Sequence, residues 1–318
     1  METVIEKWPG KIFQLQIGAA SAEGGSRGRS ITVGGEATLP FLHFEAENPY
    51  PPAVAFEVWD MPPAEWIEVQ DELKDVVNDP GLWAKKGEEI GADLICLRLA
   101  SSNPEAQNTS PQQAAETVKK VLKATTLPLM IIGSGNAQKD GEVILAVSEA
   151  AKGEKCLLGI AIKENYKTLT AACLAGGHTI IAESPLDINL AKQLNILISD
   201  MGYPLEKIVM HHSTGGLGYG FEYCYTIMER TRLAGLQGDR TMAMPIVNFI
   251  AQETWKTKET KADETEKPEW GARRDRSILW ETVCSSGYLQ AGSDILVVAH
   301  PQTVKNVKKL IGKLMKRD

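Results

Sequence analysis

The sequence of 318 residues predicts an α/β fold: a closed (β/α)8 TIM barrel preceded by an N-terminal β-hairpin. Three observations predict it. From Pro52 onward, eight short β-rich runs alternate with longer amphipathic stretches. The runs are almost continuously apolar, as strands of a parallel sheet covered on both faces must be. Eight such units in about 250 residues fill a barrel better than the open, doubly wound sheet that is the runner-up.

Taken in order, the stretch KIFQLQIGAASAEGGSRGRSITVGGEATLPF carries two short alternating runs around a Gly/Ser-rich turn and reads as a hairpin. Residues 1–50 are therefore read as an extension, able to plug the bottom of a barrel formed by residues 51–318. The barrel runs are AVAFEVW (from Ala53), DLICLRL (from Asp93), PLMII (from Pro128), CLLGIAI (from Cys156), HTIIA (from His178), KIVMHH (from Lys207), MPIVNF (from Met244) and DILVVAH (from Asp294). The helical stretches between them are Pro63 to Val77 with a second reaching Ile90, Pro111 to Ala124, Gln138 to Ala151, Asn165 to Ala175, Leu186 to Met201, Tyr219 to Ala234, Arg274 to Gln290, and Pro301 to Met315. Ser110-Pro111 and Ser184-Pro185 each read as an N-cap followed by proline at the first helical position. Gly91, Gly153, Gly176-Gly177 and Gly202 stand where helices should stop. One long polar connection, at about 252–275 after the seventh strand, reads as a lid, a docking surface or a disordered segment.

Composition narrows the function classes. A net charge of −7 with 43% hydrophobic residues fits a globular protein and argues against a nucleic-acid surface. No apolar run reaches the roughly 20 residues needed to span a bilayer, and METVIEKWPG resembles no targeting peptide, so a cytoplasmic location is expected. The one strongly basic stretch, VKNVKKLIGKLMKR, spaces Val304, Val307, Leu310, Ile311 and Leu314 as a packed helix would. Cys96, Cys156, Cys173, Cys224 and Cys284 show no C-x-x-C spacing and read as buried thiols, with no zinc or iron-sulfur site among them.

In a barrel of this kind, chemistry gathers where strands run out into loops. The polar residues there are Asp60, Arg98, Ser101, Asn103, Ser134, Asn136, Asn165, Glu183, Ser184, His211, His212, Ser213, Thr214, Asn248, Gln252 and His300. The set is incomplete as catalytic machinery: it has no lysine for a Schiff base, no acid paired with Glu183 and no metal-binding histidine spacing. His211 and His212 are consecutive on a strand, so they should face opposite sides of the sheet and share no metal. Neither GGLGYG nor GSGNAQ matches a dinucleotide or phosphate loop. The amides of Thr214, Gly215 and Gly216 could make an anion nest at a helix N-terminus, or the glycines could serve only close backbone approach. His212-x-x-Gly215 matches half of the cobalamin-ligand motif D-x-H-x-x-G, but Met210 stands in place of the aspartate, which argues against cobalt ligation.

The stretch EIGADLICLRLASSNP resembles the strand-two motif of pterin-binding barrels, G-A-D-x-x-D-x-N. Gly91-Ala92-Asp93 is kept, while Cys96 and Arg98 replace the later acid and amide. With KIFQLQIG, PLMIIGSGN, MHHSTGGLGYG and DILVVAHP, the whole chain resembles the small subunit of the corrinoid iron-sulfur protein, the delta subunit of the acetyl-CoA decarbonylase/synthase complex. That resemblance implies a non-catalytic subunit of a heterodimeric methyl carrier in the reductive acetyl-CoA (Wood-Ljungdahl) route of anaerobic carbon fixation. Its partners would be the large corrinoid iron-sulfur subunit, a methyltetrahydrofolate methyltransferase and CO dehydrogenase/acetyl-CoA synthase, with no nucleic acid and no membrane. The barrel mouth would cap a corrinoid ligated by the large subunit, this chain holding no cofactor or metal alone. Asn136, Glu183, His211, Ser213, Thr214 and Gly215 would line the corrinoid, and no residue would be catalytic. The alternative is a stand-alone pterin-dependent TIM-barrel methyltransferase.

Overall fold

The computed structural model describes residues 4–316. Two antiparallel strands come first, β1 (Gln14–Ile17) and β2 (Ile31–Gly34). Eight parallel strands follow: β3 (Ala53–Trp59), β4 (Leu94–Arg98), β5 (Leu129–Ile132), β6 (Leu157–Ala161), β7 (Thr179–Glu183), β8 (Ile208–His211), β9 (Val247–Phe249) and β10 (Ile295–Val298). Between and after them lie α1 (Ile67–Glu72), α2 (Pro80–Glu89), α3 (Pro111–Ala124), α4 (Ala137–Ala150), α5 (Tyr166–Gly176), α6 (Ile188–Ser199), α7 (Phe221–Leu236), α8 (Ile250–Trp255), α9 (Lys258–Lys261), α10 (Arg273–Gln290) and α11 (Pro301–Leu314). The strand order β8-β7-β6-β5-β4-β3-β10-β9 is that of a (β/α)8 barrel. Seven junctions are hydrogen-bonded ladders. The eighth, between β8 and β9, is a single bridge from Met210 to Ile246, with the Met210 amide donating to Pro245 O at 2.8 Å.

Alternation along each strand sorts the core into two shells. One set faces the helices; the other, including Ala53, Ala55, Leu94, Cys96, Met130, Ile132, Ile181, Val209, Val247 and Val297, fills the barrel. Leu15, Ile17 and Val33 from the hairpin belong to this inner set. The hairpin therefore plugs the barrel. The segment joining its strands, residues 18–30, is pinned to the strands' N-terminal end by buried Arg27, whose guanidinium donates to the carbonyls of Leu122, Thr125 and Leu127 and pairs with Glu154 at 2.8 Å.

Most expected helix ends are found. Ser110 caps α3 in a reciprocal box with Gln113, and Gly91, Gly153, Gly177 and Gly202 adopt positive φ just past their helices. Ser184-Pro185 does not start α6. Asp187 caps it instead, accepting from the amides of Asn189 and Leu190, while the Ser184 hydroxyl donates to Asp187 O. The first stretch after β3 is also less helical than its periodicity predicts, with α1 only six residues long. All five cysteines are buried, unpaired thiols. The polar connection after β9 is structured: it holds α8, α9 and a 3-10 turn at Pro268–Trp270. Arg276 of α10 fixes it by donating to the carbonyls of Glu259, Ala262 and Gly271, with its guanidinium against the Trp270 ring.

Candidate functional site at the barrel mouth

Strand phase dictates which side chains reach the mouth. On β3 the inward series Ala53, Ala55 continues to Glu57 and Trp59; on β4, Leu94 and Cys96 lead to Arg98. On β7 Ile181 leads to Glu183, on β8 Val209 to His211, and on β9 Val247 to Phe249. The uppermost layer is thus polar at four strands, above an apolar filling.

These residues join in one network. The Arg98 Nε donates to Glu57 Oε1 at 2.8 Å, and the same oxygen accepts from Trp59 Nε1 at 3.0 Å and Gln252 Nε2 at 3.2 Å. The Arg98 guanidinium lies 5.4 Å from the Trp59 ring centre and 5.5 Å from that of Phe249. Phe249 meets the His211 ring edge to face at 4.9 Å. His211 Nδ1 is 2.8 Å from Glu183 Oε2, and its Nε2 is 3.2 Å from Thr214 Oγ1. With a carboxylate on one side and a hydroxyl on the other, the consistent assignment is a proton on Nδ1 donated to Glu183 and Nε2 accepting from Thr214. Burial alone would raise the Glu183 carboxyl, but the His211 hydrogen bond, with Arg98 nearby, outweighs it and holds the group below its usual range. It stays ionised.

Thr214 also mends the weak barrel junction. Its Oγ1 accepts from the Phe249 amide at 3.0 Å, a hydrogen bond that a continuous β8–β9 ladder would have supplied. The tyrosine hydroxyl of Tyr288 both accepts from the Gly215 amide and donates to the Gly215 carbonyl, each at 2.8 Å. Of the two readings of these glycines, this excludes the anion nest: the Gly215 amide is already spent, and α7 begins only at Phe221 after a Gly220 cap. Ser213 lies between these anchors with φ of 71°, a conformation that strains a non-glycine residue. Asn136 stands apart as the N-cap of α4, accepting from the Lys139 amide at 3.0 Å. In the same loop, the Asp140 carboxylate accepts from the amides of Ser134 and Gly135, so GSGNAQ folds around an internal anion.

His211 and His212 diverge as strand geometry requires. The His212 Nε2 meets Thr231 of α7 at 3.0 Å, and burial, then the neighbouring His211, push it down to about 3. No group of three or more histidine, cysteine or acidic side chains among the described residues is placed to hold a metal. Burial raises the Cys96 thiol well above its ordinary value, with the Glu57 charge adding to the effect, so it is no thiolate. Glu57 was not among the strand-end residues singled out from the sequence. Its signal was a lone acid inside AVAFEVW, in phase with Ala53 and Ala55.

Residues 14–309 match the family model described as CO dehydrogenase/acetyl-CoA synthase delta subunit. The acetyl-CoA decarbonylase/synthase complex subunit delta 1 of Methanosarcina thermophila is 38% identical over 314 residues, which cover 96% of this chain and 71% of that subunit. The corresponding delta subunit of Methanocaldococcus jannaschii is 37% identical over 322 residues, 99% of this chain and 76% of that one. Among solved structures, dihydropteroate synthase of Xanthomonas albilineans superposes with a TM-score of 0.58 at 13% identity, covering 84% of this chain and 95% of its own. The Vibrio fischeri enzyme gives 0.57 at 12%. These structural likenesses concern the fold. No helix among the described residues is long and apolar enough to cross a membrane.

Proposed function

The chain belongs to the delta-subunit family of CO dehydrogenase/acetyl-CoA synthase, and from that membership we propose that it is the small subunit of a heterodimeric corrinoid methyl carrier, its barrel mouth capping a corrinoid held by the large subunit. In this reading the methyl group comes from methyltetrahydrofolate through a methyltransferase and leaves to acetyl-CoA synthase.

The observation that carries the reading is a mouth with recognition capacity and no free catalytic group. Both ring nitrogens of His211 are engaged, His212 faces α7, and among the described residues no thiolate or lysine enters the upper layer. What the mouth leaves over is hydrogen-bonding capacity, since Arg98 Nη2 and Glu57 Oε2 are buried without partners. These residues fit the polar periphery of a corrinoid and offer its metal no ligand.

A corrinoid bound there would supply the centre that accepts and donates the methyl group. The protein's part is to exclude water and hold a fixed wall against that centre. Trp59 and Phe249 flank Arg98 with apolar surface, and the Glu183–His211–Thr214 chain keeps the rim from rearranging. Because His211 donates to a carboxylate that stays ionised, it has no proton to give to a substrate in this arrangement.

Coexpression with a corrinoid-binding large subunit tests the reading. Size-exclusion chromatography should give one peak that carries both chains and the corrinoid absorbance. Separate peaks, with the absorbance confined to the other subunit, would overturn it.

A further inference from the structure

The upper layer of the barrel is polar, buried and not self-sufficient. Arg98 is 7% exposed and Glu57 is fully buried. Yet the Arg98 Nη2 donor and the Glu57 Oε2 acceptor have no partner, although Nε and Oε1 of the same two side chains bind each other. Buried donors and acceptors are rarely left unpaired, because each forfeits its hydration without compensation. Beside Arg98 a cleft opens between the ends of β4, β5, β6 and β7, with Arg98 on one side, Glu183 on the other, and Gly133 and Asn165 among its lining residues; Glu57 is not part of its wall. Glu183 commits only Oε2 to His211, so Oε1 remains open among the described residues.

The unmatched functions at the cleft are therefore one donor, Arg98 Nη2, and one acceptor, Glu183 Oε1. We infer that this cleft is a subsite for a primary carboxamide, or for the chemically equivalent lactam edge of a pterin, the ligand's carbonyl oxygen taking Arg98 Nη2 and an N–H group going to Glu183 Oε1. A carboxylate ligand is excluded because it brings no donor for Glu183 and sets a second negative charge against it. An ammonium group is excluded because it cannot accept from Arg98. An ester could accept from Arg98 but would leave Glu183 Oε1 unpaired. The assignment rests on the capping reading to this extent: in that setting the amide is one of the corrinoid's peripheral carboxamides.

The test separates the subsite from the cap. The large subunit is loaded either with dicyanocobinamide, which bears carboxamides, or with a cobyrinate heptamethyl ester, which has none, and the affinity of the full chain for each loaded subunit is measured. Glu183→Leu should weaken association with the amide form about tenfold or more beyond any loss seen with the ester form, the scale of a hydrogen bond to a charged group, since a loss common to both forms reports only the freed His211. Glu183→Gln, which keeps an acceptor, should retain most of the amide preference and controls for misfolding. Equal losses with both corrinoids would overturn the subsite and leave the cap standing. If the wild-type chain binds neither loaded subunit but takes up 5-methyltetrahydropterin stoichiometrically, with the same Glu183 dependence, the cap falls and the subsite belongs to a lactam. A chain that binds none of these probes has only water in the cleft, and both readings fail.

Discussion

Two carboxylates compete for one guanidinium at the opposite end of the barrel. Arg232 of α7 donates from Nη2 to Asp294 at 2.7 Å and from Nη1 to Glu36 at 3.4 Å. Burial, then repulsion from Asp294, push the Glu36 carboxyl up to about 8 despite the pull of Arg232. A raised folded value means that the contribution to stability is complete below the ordinary carboxylate range and is lost as pH rises through about 8. The wild-type urea midpoint should therefore fall as pH climbs from about 4.5 past 8, and Glu36→Gln should flatten that fall. Parallel pH curves for the two proteins would show that the pair does not share a proton. Glu36 follows β2, so this contact ties the plug to the barrel. The same residue-scale logic explains why Glu57 was overlooked: a single acid in an apolar strand says nothing of its partners. Arg98, Trp59 and Gln252 come from β4, β3 and α8, and only the closed barrel brings them together.

At the scale of elements, what was legible depended on whether the deciding interaction was local. Strand β3 and helix α3 match their expected limits, because seven consecutive apolar or inward-facing residues and a Ser-Pro start are properties of the segment itself. Ser184-Pro185 misled because Asp187, two residues beyond the proline, offers a charged cap that wins the helix start. The connection at 252–275 leaves three readings open from sequence, a lid, a docking surface or disorder. Polarity could not choose among them, because the order of the connection comes from Arg276, outside the segment, which gathers three carbonyls and one tryptophan ring. Ion pairs from Arg273 to Glu68 and from Arg274 to Glu72 then moor the start of α10 to α1. Arg276→Ala should open the backbone after Lys256, Lys258 and Lys261 to trypsin, giving early cleavage there while the remaining barrel fragments stay resistant. A loss of about 1–3 kcal/mol is the scale for such a charged hydrogen-bond donor. If the variant resists trypsin as the wild type does, the order of the segment has another source.

Over the whole molecule, the barrel is closed by unequal means. Seven junctions are ladders, while the eighth relies on the Met210–Ile246 bridge and on the Thr214 hydroxyl that accepts from the Phe249 amide. Thr214→Val keeps the shape and removes that acceptor, so it should cost about 1–3 kcal/mol, the penalty of one buried amide left unpaired. Its effect on hydrogen exchange should be local, with the amides of Met210 and Phe249 speeding up before those of β4 and β5; uniform acceleration would mean that the junction is not special. A hoop with one weak clasp springs open at the clasp, and here the clasp lies beneath the loop from His212 to Gly220. Any partner that grips both edges of the mouth will act as a fastener, slowing exchange at Met210 and Phe249 even if it touches neither. Those two amides are thus a built-in gauge of whether the mouth is covered, readable without knowing in advance what covers it.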